Sequence, residues 1–215
     1  MSPRFWADRR ARARIDGVCI GYSREAHWDW FRHILTPPSM RRILILGVYY
    51  GRDVAYMGSI LRSLGRTDYH ITGVDKFEDA ACEDWPEESR GMSWKEAGFG
   101  DAPALERARG NLQKLGLDTN VTLHKALGEE FLAGTDEQYD MIYIDTSHDY
   151  ETTRQSIDAA MPRLAPTGVV AGDDFSDQGT WGVAKAVREA FGKFETHDDW
   201  IWWAQPDQYR PRSSD

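Results

Sequence analysis

Three carboxylates and one histidine follow two apolar stretches of the chain, and these residue types could carry out metal-assisted acid–base chemistry. Asp145 and His148 follow one stretch, and Asp173 and Asp174 follow the next. Carboxylates close together raise each other's pKa, and a divalent cation such as Mg²⁺ removes that conflict. The near-neutral pKa of histidine suits His148 to act as a general base. The residues predict a Mg²⁺ site at Asp145, Asp173 and Asp174, beside His148.

Each of these residues also has a purely structural interpretation. Asp173 would cap a turn, Asp174 would face solvent, and His148 would donate a hydrogen bond to a loop carbonyl. Whether the four side chains meet in the folded chain decides between the two interpretations.

A second group of residues indicates a nucleoside ligand. Gly47 and Gly51 lie in a loop between an apolar run and a helical stretch, where a glycine allows close approach of the backbone to a ligand. A dinucleotide loop would have three glycines, and Tyr49 occupies the second position, so an amino-acid-sized ligand is favoured over a pyrophosphate. Asp75 ends the next apolar run, where a carboxylate can accept the hydroxyls of an adenosine ribose.

Alternating strand-like and helical stretches must position these residues. The pattern predicts an α/β fold: a Rossmann-like parallel sheet with helices on both faces and a C-terminal antiparallel strand. The carboxyl ends of parallel strands meet at one edge, so the groups above should converge there. The predicted strands are 42–46, 70–74, 121–124, 139–144, 168–172, 194–196 and 201–204, and the predicted helices are 53–64, 105–115, 151–164 and 182–191.

Three further segments flank or interrupt this domain, which we place at residues 41–205. Residues 1–40 are predicted to be an N-terminal helical lid or substrate segment, and residues 206–215 a loose tail. Residues 78–103 lack periodicity and are predicted to be an insertion or lid. Its Trp85, Met92, Trp94 and Phe99 would cover an acceptor or fill a small apolar cluster, and Trp181 would assist them.

Four stretches, RILILGVYYGRD, ITGVDKF, YDMIYIDTSHDYE and GVVAGDDF, resemble the successive motifs of class I S-adenosylmethionine (SAM)-dependent methyltransferases. The resemblance implies that SAM is the cofactor. The cofactor residues that it implies are Gly47, Val48, Tyr49 and Gly51 for methionine, Asp75 and Lys76 for ribose, and Ala126, Leu127 and Gly128 for adenine. Most such enzymes carry an acidic residue where this chain has Ile45, so Asp145 or an N-terminal residue is expected to bind the SAM amino group.

The D-x-x-H and D-D pattern is similar to a narrower group, the metal-dependent O-methyltransferases of macrolide sugars and aminocoumarins. That similarity implies Asp145, Asp173 and Asp174 as Mg²⁺ ligands and His148 or Asp145 as the base. The implied reaction moves a methyl group to a hydroxyl of a small, natural-product or sugar-like molecule. The alternatives are a metal-independent N- or C-methyltransferase, a non-catalytic SAM-binding protein and a nucleotide-dependent oxidoreductase.

Composition narrows the choice of partners. The 215-residue chain has a net charge of −9 and one basic cluster, near its N-terminus, which argues against a nucleic-acid partner. The sequence contains no apolar run of membrane-spanning length, so no membrane partner is expected. Two cysteines give no disulfide framework, and we expect a cytoplasmic protein. The sequence leaves homo-oligomerisation open.

Overall fold

A computed structural model describes residues 3–79, 92–98, 100–179 and 181–212 of the chain. Within these ranges the chain forms seven α-helices and one sheet of seven strands. The helices are α1 (Pro3–Asp16), α2 (Glu25–Ile34), α3 (Arg52–Ser63), α4 (Leu105–Leu115), α5 (Gly128–Ala133), α6 (Tyr150–Ala160) and α7 (Val183–Ala190). The strands are β1 (Arg42–Leu46), β2 (His70–Asp75), β3 (Val121–Lys125), β4 (Tyr139–Ile144), β5 (Leu164–Gly172), β6 (Glu195–His197) and β7 (Ile201–Ala204).

The sheet has the strand order β3-β2-β1-β4-β5-β7-β6. The first five strands in this order run parallel, whereas β7 is antiparallel to β5 and to β6. This arrangement confirms the predicted Rossmann-like fold, including its antiparallel C-terminal strand. Among the described residues, no helix combines the length and the apolar character that a membrane span requires.

The register of the central strands brings their carboxyl ends level with one another. Leu46 of β1 lies beside Ile144 of β4, and Ile144 lies beside Gly172 of β5. The loops that follow these strands therefore open at one edge of the sheet, where open α/β sheets bind their ligands.

Helices cover both faces of the sheet. Successive strand residues point to opposite faces, so each strand contributes to two buried clusters. Ile43 and Ile45 of β1 belong to one buried cluster together with side chains of α1 to α4. Leu44 and Leu46 belong to a second cluster with side chains of α5, α6 and α7. Such two-sided burial explains why the parallel strands are apolar at nearly every position.

The N-terminal segment contains two helices, and α2 contributes to the first buried cluster. Its Trp30 is 1% exposed and packs against Tyr143 of β4 and Trp203 of β7, with ring centroids 5.9 Å and 5.7 Å away. Phe31, which is fully buried, contacts Tyr143 edge-on. Helix α2 is therefore part of the core.

The structure differs from the predicted elements in three places. Helix α6 ends at Ala160, because Pro162 lies in a short 3-10 turn and cannot continue a helix, and β5 begins earlier than predicted. Helix α5 was not predicted, since six residues are too few to show helical periodicity. The segment from residue 206 is attached as far as residue 212: the Tyr209 hydroxyl donates to Asp158, 2.8 Å away.

Part of the predicted insertion, residues 80–91 and 99, lies outside the described residues, and so do Trp85 and Phe99. Of its other two predicted covering residues, Met92 is 39% exposed. The Trp94 ring stacks on Tyr49 of the glycine loop at a centroid distance of 5.2 Å.

We predict that Trp30→Ala lowers the free energy of unfolding by about 3–5 kcal/mol, because it leaves a large cavity between α2 and the sheet. Trp6→Ala is the control, because Trp6 lies on α1 with 46% of its surface exposed. Its effect should stay within about 0.5 kcal/mol. Urea denaturation followed by circular dichroism measures both values. Equal effects of the two substitutions would show that α2 is not part of the core.

Candidate active site

The loop between β1 and α3 passes directly beneath the end of β4. Gly47 adopts a φ of +90°, and a Cβ at this position would lie 1.6 Å from the backbone oxygen of Asp145. Only glycine fits there, both for its positive φ and for the close approach. Gly51 also has a positive φ (+83°), and Tyr49 between them has a φ of +50°, a conformation that costs energy in a residue with a side chain. The loop therefore needs an external partner that holds its shape.

That partner is Asp75 at the end of β2. Its Oδ2 accepts hydrogen bonds from the backbone N–H groups of Val48 and Tyr49, at 2.8 Å and 2.9 Å. Its Oδ1 accepts one from the N–H of Phe77 at 2.7 Å. A carboxylate offers about four acceptor positions, so the three backbone donors leave room for a ribose hydroxyl. Asp75 thus shapes the loop and remains able to accept a ligand hydroxyl.

The residues expected near adenine lie next to Asp75. The N–H of Ala126 donates to the Asp75 carbonyl at 3.1 Å, and Lys76 is half-buried beside it. Leu127 leaves 49% of its surface exposed, and Gly128 begins α5 against the side chain of Leu46. The predicted cofactor residues thus line the tips of β1, β2 and β3, with an apolar side chain available to cover a base.

Aromatic rings cover the outer side of the glycine loop. Tyr49 stacks on Tyr50 at 4.1 Å and on Trp94 at 5.2 Å, and Tyr22 of the N-terminal segment lies 6.2 Å from Tyr49. Tyr22 is 67% exposed. Its contribution was not predicted, because nothing in its local sequence connects it to the loop.

The structure brings together Asp145, His148 and Asp174. One possible ligand atom from each lies within 4.8 Å of the other two, and His148 Nε2 lies 2.8 Å from Asp174 Oδ2. Burial raises the pKa of Asp145 well above its usual value, and the charges of Asp173 and Asp174 raise it further. Two carboxylates and an imidazole in this arrangement form a donor set that fits a divalent cation.

Asp173 lies outside this group, because its side chain turns to a different partner. Its Oδ2 lies 2.8 Å from Nε2 of His27, which is on α2 and 2% exposed. Nδ1 of His27 accepts the N–H of Arg24 at 3.0 Å, so Nε2 carries the hydrogen that is donated to Asp173. Asp173 Oδ1 is buried and has no hydrogen-bond partner among the described residues.

The pairing with Asp173 also changes the titration of His27. Burial by itself would lower the pKa of His27, but the hydrogen bond and charge of Asp173 outweigh it and raise that pKa. His27 was not predicted to be a site residue. Its spacing from Trp30 and Phe31 does place it on the buried face of α2, which is the signal that could have identified it.

The ring of His148 is held on a second side by Trp181. The two rings stack with centroids 4.4 Å apart, and the His148 carbonyl accepts the N–H of Gly182 at 2.8 Å. The backbone between β5 and α7 therefore fixes the position of the histidine. Its side chain stays 25% exposed, so it can be reached from solvent.

A groove of about 470 Å³ begins beside this stack. It lies between the start of α6 and helix α7, and it contains both aromatic rings and charged groups. Its lining residues are Tyr150, Asp177, Trp181, Gly182, Lys185, Arg188 and Glu189. Its volume falls in the range of pockets that bind small molecules.

A further carboxylate near the strand tips was not predicted. Asp53, the second residue of α3, is 8% exposed, and burial raises its pKa to about 6, partly offset by His27. Its Oδ1 has no hydrogen-bond partner in the described part of the chain. In the sequence it resembles an ordinary acidic residue in the first turn of a helix, so its burial could not be anticipated.

Comparisons with known proteins agree with this geometry. The O-methyltransferase NovP has a TM-score of 0.66 and 19% identity, over 86% of this chain and 80% of its own. CalS11, a calicheamicin methyltransferase, has a TM-score of 0.62 and 16% identity, over 95% and 93%. An O-methyltransferase from Bacillus cereus, solved with S-adenosylhomocysteine (SAH), has a TM-score of 0.59 and 13% identity, over 95% and 91%.

At these identities the likeness concerns the fold. A comparison with curated proteins gave no match. Among protein families, the one described as "Methyltransferase domain" matches residues 44–175, a segment that includes the glycine loop, Asp75 and the acidic group. Because this segment is more than half of the chain, the protein belongs to the methyltransferase domain family and has the fold of the class I SAM-dependent methyltransferases.

Proposed function

We propose that the protein transfers the methyl group of SAM to a hydroxyl group of a small molecule, assisted by a divalent cation and by His148. The observation that carries the proposal is the meeting of Asp145, His148 and Asp174 within 4.8 Å of one another. This group lies at the sheet edge that also contains the glycine loop and Asp75. A methyl donor and an activated hydroxyl could therefore be held side by side.

The chemistry of the donor set supports a cation. Asp145 is half-buried near two other carboxylates, which disfavours its charged form unless a positive charge is added. Carboxylate oxygens are the ligands that Mg²⁺ and Mn²⁺ prefer. We propose Asp145 and Asp174 as ligands and Asp173 as a third, reached through its Oδ1.

In the proposed reaction, the residues of this chain position and deprotonate the acceptor. A divalent cation bound here would lower the pKa of the acceptor hydroxyl. His148 would direct its Nε2–H to Asp174 and accept the proton at Nδ1, with Asp145 as the alternative base. The acceptor oxygen bonds to the methyl carbon as the carbon–sulfur bond breaks, and SAH leaves. Since SAM is already activated, positioning accounts for much of the acceleration.

The groove next to His148 suggests what kind of acceptor fits. Trp181 both stacks on His148 and lines the groove, so an acceptor bound in the groove would lie close to the imidazole. The charged lining is balanced, since Arg188 pairs with Asp177 and Lys185 lies over the Tyr150 ring, opposite Glu189 among the lining residues. CalS11, one of the similar structures, is described as a TDP-rhamnose 3′-O-methyltransferase. We therefore propose a sugar-like or aromatic acceptor from natural-product chemistry.

The cation is tested first without an acceptor. Titration with Mn²⁺, followed by electron paramagnetic resonance, should show one tight site that Asp174→Asn weakens, since the substitution removes a charged ligand. Asp118→Asn is the charge-matched control, because Asp118 is exposed and distant in the fold. EDTA should lower methyl transfer about a hundredfold or more, and Mg²⁺ should restore it. Activity that EDTA leaves unchanged would favour the metal-independent alternative.

His148→Ala should lower kcat by about 10²- to 10⁴-fold while leaving the Kd for SAH unchanged, because the imidazole acts on the acceptor proton. The assay follows SAH release with a panel of phenols, glycosides and nucleoside-diphosphate sugars. His33→Ala, at an exposed position of α2, serves as the control. A kcat that stays within a factor of about two of the unmodified protein would remove His148 from the mechanism.

Trp181→Ala should raise the KM for the acceptor about tenfold, because it removes one stacking face from the groove. Trp181→Phe retains an aromatic face and should recover most of the loss. Steady-state kinetics with the best acceptor of the panel, together with calorimetric titration of SAH, separates acceptor binding from cofactor binding. If both variants changed only the affinity for SAH, the groove would not be the acceptor site.

A further inference from the structure

The carboxylate of Asp53 is buried at the exit of the glycine loop, and one of its oxygens is unused. Asp53 is 8% exposed, and its Oδ1 has no hydrogen-bond partner among the described residues. The Ser23 hydroxyl, from the segment before α2, supplies its side-chain hydrogen bond. A buried acceptor without a partner is rare in proteins and costs stability, so it calls for an explanation.

No positively charged side chain hydrogen-bonds to Asp53 in the described part of the chain. The adjacent Arg52 points elsewhere: its Nε donates to the Cys19 carbonyl at 3.0 Å, and its NH1 donates to the Ser23 carbonyl at 3.0 Å. His27 is close enough to lower the pKa of Asp53, yet burial outweighs it and the pKa rises to about 6. Burial therefore disfavours the charged form of Asp53, and no cationic side chain in the described ranges hydrogen-bonds to it to offset this.

Helix α3, which contains Asp53, packs on the face of the sheet to which Ile45 points. Most related enzymes have an acidic side chain at the position of Ile45. Ile45 of β1 points into the same buried cluster as Tyr143 of β4. The hydroxyl of Tyr143 is also buried without a hydrogen-bond partner in the described residues. His27 of α2 also connects to this face, since its Nε2 lies 2.8 Å from Asp173 Oδ2 and its charge acts on Asp53.

We propose that Asp53 binds the α-ammonium group of SAM, taking the place of the acidic side chain that Ile45 does not provide. The ammonium group would give the Asp53 Oδ1 its missing donor and neutralise the buried charge. This inference rests on the proposed use of SAM, and it is independent of the proposed cation and base.

The test compares ligands with and without the amino group, using calorimetric titration of the unmodified protein and of Asp53→Asn. The substitution keeps the shape of the side chain and removes its charge. Affinity for SAH should fall about ten- to a hundredfold, as expected for a lost charge-assisted hydrogen bond. Decarboxylated SAH keeps the amine and should lose affinity similarly. Methylthioadenosine lacks the amino-acid chain and with it the α-amino group, and its Kd should not change.

Two further variants control for indirect effects. Asp118→Asn removes an exposed charge and should leave all three affinities unchanged, which excludes a long-range electrostatic effect. Thermal unfolding of Asp53→Asn should show an unchanged or higher Tm, because a buried uncompensated charge has been removed. If that variant fails to fold, Asp53→Ser replaces it, since serine is well accepted at the start of a helix.

The possible outcomes distinguish a failure of the proposed use of SAM from a failure of the role proposed for Asp53. If the unmodified protein bound none of the three ligands, the proposed use of SAM would be wrong. If it bound SAH and Asp53→Asn bound SAH equally well, Asp53 would not hold the ammonium group, and the proposed methyl transfer would stand. Equal weakening of SAH and methylthioadenosine would assign Asp53 a structural role and overturn the inference.

Discussion

Several carboxylates lie close together at the strand tips, and the cost of keeping them charged determines which ligands the site favours. Asp53, Asp145 and Asp173 all have pKa values raised by burial, and Asp174 adds a fourth carboxylate. Only two ionisable imidazoles, one on His27 and one on His148, hydrogen-bond to this group in the described chain. Buried carboxylates of this number are stable when positive charge is brought to them. SAM, with a sulfonium and an ammonium group, and a divalent cation are ligands of the required sign. If these ligands bind as proposed, the unfavourable negative charge would contribute to their binding energy, a common exchange of stability for function.

The N-terminal segment is linked to the site through the same interactions that attach it to the core. Helix α2 places Trp30 against the sheet and, one turn earlier, places His27 against Asp173. Because both contacts come from one rigid helix, docking of α2 and positioning of Asp173 cannot be separated. The hydrogen bond from Arg24 to His27 also begins α2, so the imidazole joins the start of the helix to the end of β5. A segment that was predicted to be a lid or substrate segment therefore supports the strand tips from beneath through His27.

The sequence was sufficient to predict where the strands end. It was insufficient to predict which partner each side chain at those ends contacts. Apolar runs followed by glycine or aspartate fix strand ends, and parallel register then brings those ends together, as Leu46 and Ile144 show. The meeting of Asp145, His148 and Asp174 follows from that rule. The partner of Asp173 does not, because His27 lies on a helix far away in sequence, and local patterns do not record long-range packing. Asp53 escaped notice for a similar reason: acidic residues in a first helical turn are usually exposed.

The consecutive residues Asp173 and Asp174 illustrate how one short turn can serve two different partners. Asp174 adopts a φ of 56°, a conformation that aspartate tolerates better than most residues, and the two side chains leave the backbone in different directions. One reaches His27 and the other reaches His148, which reduces their mutual repulsion while keeping both near Asp145. Among the described residues, Asp173 Oδ1 remains without a hydrogen-bond partner.

A cation held by Asp145 and Asp174 that also bound this oxygen would be connected through Asp173 Oδ2 to His27 and hence to α2. Binding at the strand tips would then stabilise the docking of the N-terminal helix, which covers the same face of the sheet as Asp53.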